Sequence, residues 1–133
     1  MCFDKETVNY THKVAEDDIV CYKVMIRLPE EKPRWLSLYQ NFIYGQGELY
    51  EKKFSDGLLC SLDRQPWLKG CVYHSYSDLR GVDVNEISWL YAQQAVLVKC
   101  IIPKGAIYWA NVYKQQYASS AIKIVGEEPF CKD

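Results

Sequence analysis

The chain has little to spend on acid–base or metal chemistry: among its 133 residues stand only two histidines, His12 and His74. It has no excess of one charge either. Sixteen Lys and Arg face seventeen Asp and Glu, which argues against a broad footprint for a polyanion and makes nucleic acid an unexpected partner. No apolar run approaches the ~18 residues that a membrane-spanning helix needs. The opening MCFDKETVNY carries acids where a secretory leader has an apolar stretch. None of GxxxxGK[ST], GxGxxG, HExxH or GxSxG occurs, so the phosphate-loop, dinucleotide-fold, zinc-protease and serine-hydrolase readings lose their usual warrant. No CxxC pair is present to supply a zinc site.

What the chain does have is material for a core. About half of it is hydrophobic (49%), with eleven Tyr and four Trp, and such a composition excludes general disorder. The length fits one domain. Six cysteines stand at 2, 21, 60, 71, 100 and 131. Reduced thiols are expected, because the chain is large enough to hold its own core and Cys21 and Cys100 sit inside apolar strand patterns. The expected setting is therefore the cytoplasm, with no metal and no cofactor.

Residues 1–18 have no clear period and read as a loose segment before a single α+β domain over 19–133. IVCYKVMIRL alternates cleanly as a strand, with Tyr22 and Val24 on one face and Cys21, Lys23 and Met25 on the other. WLSLYQNFIY and GELYEKKF read as a hairpin about Gly45-Gln46-Gly47, with a short helix over 37–42 as the alternative for part of the first run. SDGLLCSLDRQPWLKG reads as a loop on account of Gly57, Pro66 and Gly70. CVYHSYS alternates again. A helix is expected over 84–94, where Asp83 and Glu86 are placed like a capping box and Ile87, Leu90 and Tyr91 form an apolar stripe. VLVKCII, AIYWANVY and AIKIV are further strands, and Pro103-Lys104-Gly105 reads as a hairpin turn with Lys104 at its tip. The total is a twisted, mostly antiparallel sheet of about six strands with one helix.

Few side chains point to chemistry. His74 lies in the hydroxyl-rich GCVYHSYSDLRG, where Val72, His74 and Tyr76 share a strand face. A His–Tyr pair at that spacing can bind a nucleotide or polarise a hydroxyl; the plainer account is a half-buried histidine bonded to a neighbour. Cys71 and His74 have a zinc-like spacing, but a strand turns them to opposite faces. Tyr108 and Trp109 also point opposite ways. Tyr113 and Tyr117, with Lys114 between them, make a polar-aromatic surface of the kind that stacks bases or anchors protein partners.

GCVYHSYSD, VLVKCIIPKGAIYW and YASSAIKIV, together with the early Tyr22-Lys23-Val24, resemble a set of short phage and gut-bacterial proteins that share a V-K-C-x-I-P-K-G-x-x-Y strand-turn. The likeness covers about two thirds of the chain. It implies an accessory or inhibitory role in host-defence interaction, against a host protein or a signalling nucleotide in the host cytoplasm. A looser likeness is to the ADP-ribosyltransferase-like fold. There Tyr22 or Arg27, then His74, Ser75 and Ser77, and finally Glu127 match positions around a nicotinamide dinucleotide, although no Ser-Thr-Ser run is present.

The expected function is thus binding rather than catalysis, through Tyr22, Arg27, His74, Tyr76, Lys104, Trp109, Tyr113 and Tyr117. The alternative is a nucleotide-handling enzyme of the ADP-ribosyltransferase-like kind. An exposed sheet edge also offers homodimerisation by strand addition.

Overall fold

A computed structural model describes residues 11–37, 42–65, 72–78, 95–112 and 115–129. In chain order the elements are β1 (Lys13–Val14), β2 (Ile19–Arg27), β3 (Arg34–Ser37), β4 (Ile43–Gly45), β5 (Leu49–Glu51), α1 (Asp56–Arg64), β6 (Tyr73–Tyr76), β7 (Ala95–Ile102), β8 (Ile107–Asn111), β9 (Gln116–Ser119) and β10 (Ala121–Glu128). The helix expected over 84–94 lies outside the described residues.

All ten strands belong to one open sheet, ordered β1-β8-β9-β6-β2-β7-β10-β5, with β3 and β4 branching from β2. Every ladder is antiparallel. The sequence expectation of a mostly antiparallel sheet holds, but its count of about six strands is too low. The run over 35–44 divides into β3 and β4, and β9 (Gln116–Ser119) is an additional strand ahead of the one expected at AIKIV, which is β10. The segment read as loose contributes β1, and Ala15 beside it is buried with its amide bonded to the Ala106 carbonyl.

Two reversals expected to be hairpins are not. β4 pairs with β3, whereas β5 pairs with β10, so the turn at Gly45–Gly47 carries the chain from one edge strand to another. Likewise β7 pairs with β2 and β10, and β8 pairs with β1 and β9. Pro103-Lys104-Gly105 is therefore a crossing between ladders. The turn chemistry was readable: Gly105 takes φ +90°, which favours glycine. Which strands the turn joins depends on long-range pairing, and local residues do not encode that.

The crossings split the sheet into two halves. β1, β8, β9 and β6 make one, and β2 to β5 with β7 and β10 make the other. A single registered pair, Tyr22 with Tyr76, joins β2 to β6. Their inner faces enclose the main core, which includes Cys21, Met25, Trp35, Tyr73, Val98, Cys100, Ile102, Ile122 and Ile124. On the outer face of the smaller half, Leu62, Val72, Trp109 and Ala118 form a second cluster beneath α1.

The helix α1 stands where a loop was expected. Ser55 caps it by accepting the Leu58 amide, Asp56 sits in the first turn and Arg64 in the last, both favourable to the helix dipole. Leu58, Leu59 and Leu62 supply its apolar stripe. Gly57 falls in the first turn, where it costs little, and Pro66 lies past the end; neither breaks the helix.

Candidate functional site

Antiparallel register places residues opposite one another on a common face, so the ladders can be read as rows. One row crosses both halves: Lys99 pairs with Tyr22, Tyr22 with Tyr76, Tyr76 with Gln116, and Gln116 with Asn111. It lies on the outer face, away from the main core, and it passes through the single pair that links the halves. Tyr76 and Asn111 are buried, while Lys99, Tyr22 and Gln116 are half-buried. The Gln116 side-chain oxygen Oε1 is buried without a hydrogen-bond partner. Such orphans are uncommon and call for a cause. His74 occupies the adjacent row, in register with Ala118, which in turn is in register with Trp109. Register therefore puts Tyr22, Tyr76 and His74 on the same face of the sheet. Lys99, Gln116 and Asn111 were missed, since only the register reveals them.

The inner face carries a different set. Lys23 is 7% exposed and its Nζ donates to the His74 carbonyl oxygen at 2.6 Å, with the Tyr44 ring centroid 5.2 Å away. Desolvation holds this ammonium below its ordinary range. Cys21 and Cys100 face each other across β2 and β7 and are fully buried. Burial pushes the Cys21 thiol up to about 11 and the Cys100 thiol well above its usual value. Neither thiol is a nucleophile at neutral pH, because the thiolate is the reactive form.

At the end of the core, Arg27 Nη1 bonds Glu127 Oε2 at 2.5 Å and Trp35 Nε1 bonds Glu127 Oε1 at 3.3 Å. A bulge at Val125 arranges this contact. The register slips between Ile124 and Gly126, so Glu127 stands on the same face as Val98, within reach of Arg27 and Trp35, while staying exposed at the rim. The signal was legible, for an isolated glycine within a strand pattern often marks a bulge. Glu127 also borders a pocket of about 400 Å³ with Ala95, Val96, Leu97, Glu128 and Pro129. Arg27 and Glu127 therefore meet, whereas His74 faces the other side of the sheet.

The remaining candidates scatter. Trp109 is fully buried beneath α1, and its Nε1 donates to Asp63 Oδ1 at 2.9 Å. Tyr117 packs against Tyr108 with ring centroids 5.9 Å apart, on the core side. Tyr113 lies outside the described residues. Lys104 is exposed at the crossing between β7 and β8. His12 does not hang free: its Nδ1 lies 3.0 Å from both Asp63 oxygens and its amide donates to Oδ1. Burial of Asp63 opposes ionisation, yet the hydrogen bonds from Trp109 and His12 outweigh it and hold the carboxyl below its usual value.

Among the described residues no His, Cys, Asp and Glu side chains gather to hold a metal, and no helix is long and apolar enough to cross a membrane. No family model, no curated protein and no solved structure matches the chain.

Proposed function

We propose that this is a small binding protein whose ligand is a nucleotide, seated along the row of Lys99, Tyr22, Tyr76 and Gln116. The observation that carries the reading is the buried, unpartnered Gln116 Oε1 at one end of the Lys99–Gln116 stretch of this row, whose other end is a lysine. Three strand spacings separate those ends, roughly 14 Å, a span suited to a base and its phosphates. A base N–H satisfies the Gln116 oxygen, the phenols of Tyr22 and Tyr76 flank the sugar, and the Lys99 ammonium faces phosphate. Lys23, Cys21 and Cys100, three groups capable of covalent chemistry, are sealed in the core, which favours binding over turnover. Taken with the resemblance to phage proteins, the role is to sequester a signalling nucleotide in a host cell.

Titration of the purified protein with ATP, followed by tyrosine and tryptophan fluorescence, tests the reading. A saturable change with one site per chain is expected, weakened at least tenfold by Lys99→Met and by Gln116→Leu, the scale of one lost charge-assisted or buried hydrogen bond. No saturation with ATP, a cyclic dinucleotide or NAD would remove it.

The meeting of Arg27 and Glu127 beside the 400 Å³ pocket favours one second reading, an enzyme acting on a nicotinamide dinucleotide. Release of nicotinamide from NAD by the parent protein, abolished in Glu127→Gln, supports it. No release from the folded parent protein sinks it.

A further inference from the structure

Two of the places where the chain passes between the half-sheets touch one another. One is Pro103–Ala106 after β7, the other is Ser120 between β9 and β10, and they are tied by the Ser120 amide donating to the Ile107 carbonyl at 2.8 Å. β5 ends against the second crossing, where the Lys52 amide donates to the Ser120 carbonyl at 2.8 Å. The corner so formed is concave. It holds about 270 Å³ lined by Glu51, Lys52, Lys104, Gly105 and Ser120 among others.

Its walls are fixed before any ligand arrives. The Lys104 amide donates to Asp18 Oδ1 at 2.9 Å, the Gly105 amide to the Ala15 carbonyl, and the Ala106 amide back to Pro103. The turn's backbone is thereby committed, and the Lys104 side chain has no carboxylate partner among the described residues. Lys52 lines the corner, and its ammonium stands 4.6 Å from the Tyr73 ring centroid at the edge of the main core. Ser120 adds an independent sign. It is 8% exposed, and its Oγ accepts the Ile107 amide at 3.0 Å. Among the described residues no acceptor takes the Ser120 hydroxyl proton, although buried hydroxyls ordinarily donate as well as accept.

We propose that this corner is a second binding site, taking the phosphoryl group of a small phosphomonoester between Lys52, Lys104 and the Ser120 hydroxyl. Two ammoniums and a hydroxyl donor match a tetrahedral oxyanion, whose oxygens accept in several directions. Glu51 on the same wall sets the remainder of the ligand. It repels a second anionic group and accepts from a hydroxyl, so the match is a sugar phosphate. The volume lies below the range of drug-sized pockets, which separates this ligand from the nucleotide assigned to the outer face.

Two-dimensional amide NMR with inorganic phosphate and with glucose 6-phosphate as probes tests the site. Saturable shifts are expected at Lys52, Lys104, Gly105 and Ala121, with the sugar phosphate binding more tightly than phosphate alone. Lys104→Met, on an exposed turn, is expected to weaken binding about tenfold, and Ser120→Ala several-fold. Glu51→Gln is expected to narrow the preference for the sugar phosphate. An absence of saturable shifts at millimolar probe overturns the proposal. So do shifts that saturate equally in Lys104→Met and Ser120→Ala. Shifts at Tyr22, Tyr76 and Gln116 instead would place the anion on the outer row and also overturn it.

Discussion

Lys23 Nζ bonds the His74 carbonyl oxygen at 2.6 Å inside the protein, joining a β2 side chain to the β6 backbone. Since Tyr22 and Tyr76 are the single ladder pair between these strands, the buried lysine is a second fastening between the half-sheets. Burying an amine is costly unless its donors are used, and here a carbonyl and an aromatic face receive it. Lys23→Ala leaves that carbonyl unpaired and opens a void. The expected cost is about 2–4 kcal/mol, read from urea unfolding, whereas Lys23→Met fills the space and costs less. Equal losses in the two variants would contradict the account.

The same residue shapes the response to alkali. Lys23 titrates below the ordinary 10.5, so beneath that value the unfolded chain holds its proton more firmly than the folded protein does. Stability on this account rises with pH through the window below 10.5. The thiols act in the opposite sense: unfolded cysteines ionise near 9.0 while Cys21 does so at about 11, so stability drains away above 9.0. The parent protein sums the two trends. Lys23→Met should keep only the decline, visible as a steeper fall in the urea midpoint between 9.0 and about 11. An unchanged profile would contradict the assignment.

Burial also orders the thiols by reactivity. Cys60 is exposed on α1, while Cys21 and Cys100 are buried with raised pKa values. Brief alkylation of the native protein followed by peptide mass mapping should modify Cys60 and spare the other two until denaturant is added. Prompt labelling of Cys21 or Cys100 would show that the two half-sheets do not stay closed.

Asp63 accepts from the His12 amide, the His12 ring and the Trp109 indole. Asp63→Ala should cost about 1–3 kcal/mol, the scale of an orphaned buried donor. Because the folded carboxyl titrates below 3.8, its stabilisation is complete above that value and is lost as the pH falls past it. The variant should therefore lose stability at neutral pH yet differ less from the parent in strong acid, as measured by tryptophan fluorescence.

Strands were legible wherever apolar residues alternate, as in IVCYKVMIRL and VLVKCII, because one buried face imposes the period of two. Pairing was not. Both turns at Gly45–Gly47 and Pro103–Gly105 were recognisable from their residues, yet neither closes a hairpin, since the partner strands come from distant parts of the chain. The helix at Asp56–Arg64 was hidden by weight given to Gly57 and Pro66 over the Ser55 cap and the leucine stripe. At the candidate site, Tyr22, His74 and Tyr76 were recognisable as amphipathic side chains on strands. Lys99 and Gln116 carry no local signature, and they join the row through register alone.

The most direct test of the nucleotide reading is native mass spectrometry of the protein purified gently from its producing cells, beside the Gln116→Leu variant. The account predicts a retained mass equal to a nucleotide on the parent chain and its loss from the variant. A parent chain that carries no added mass, even after incubation with millimolar ATP, a cyclic dinucleotide or NAD, would contradict it.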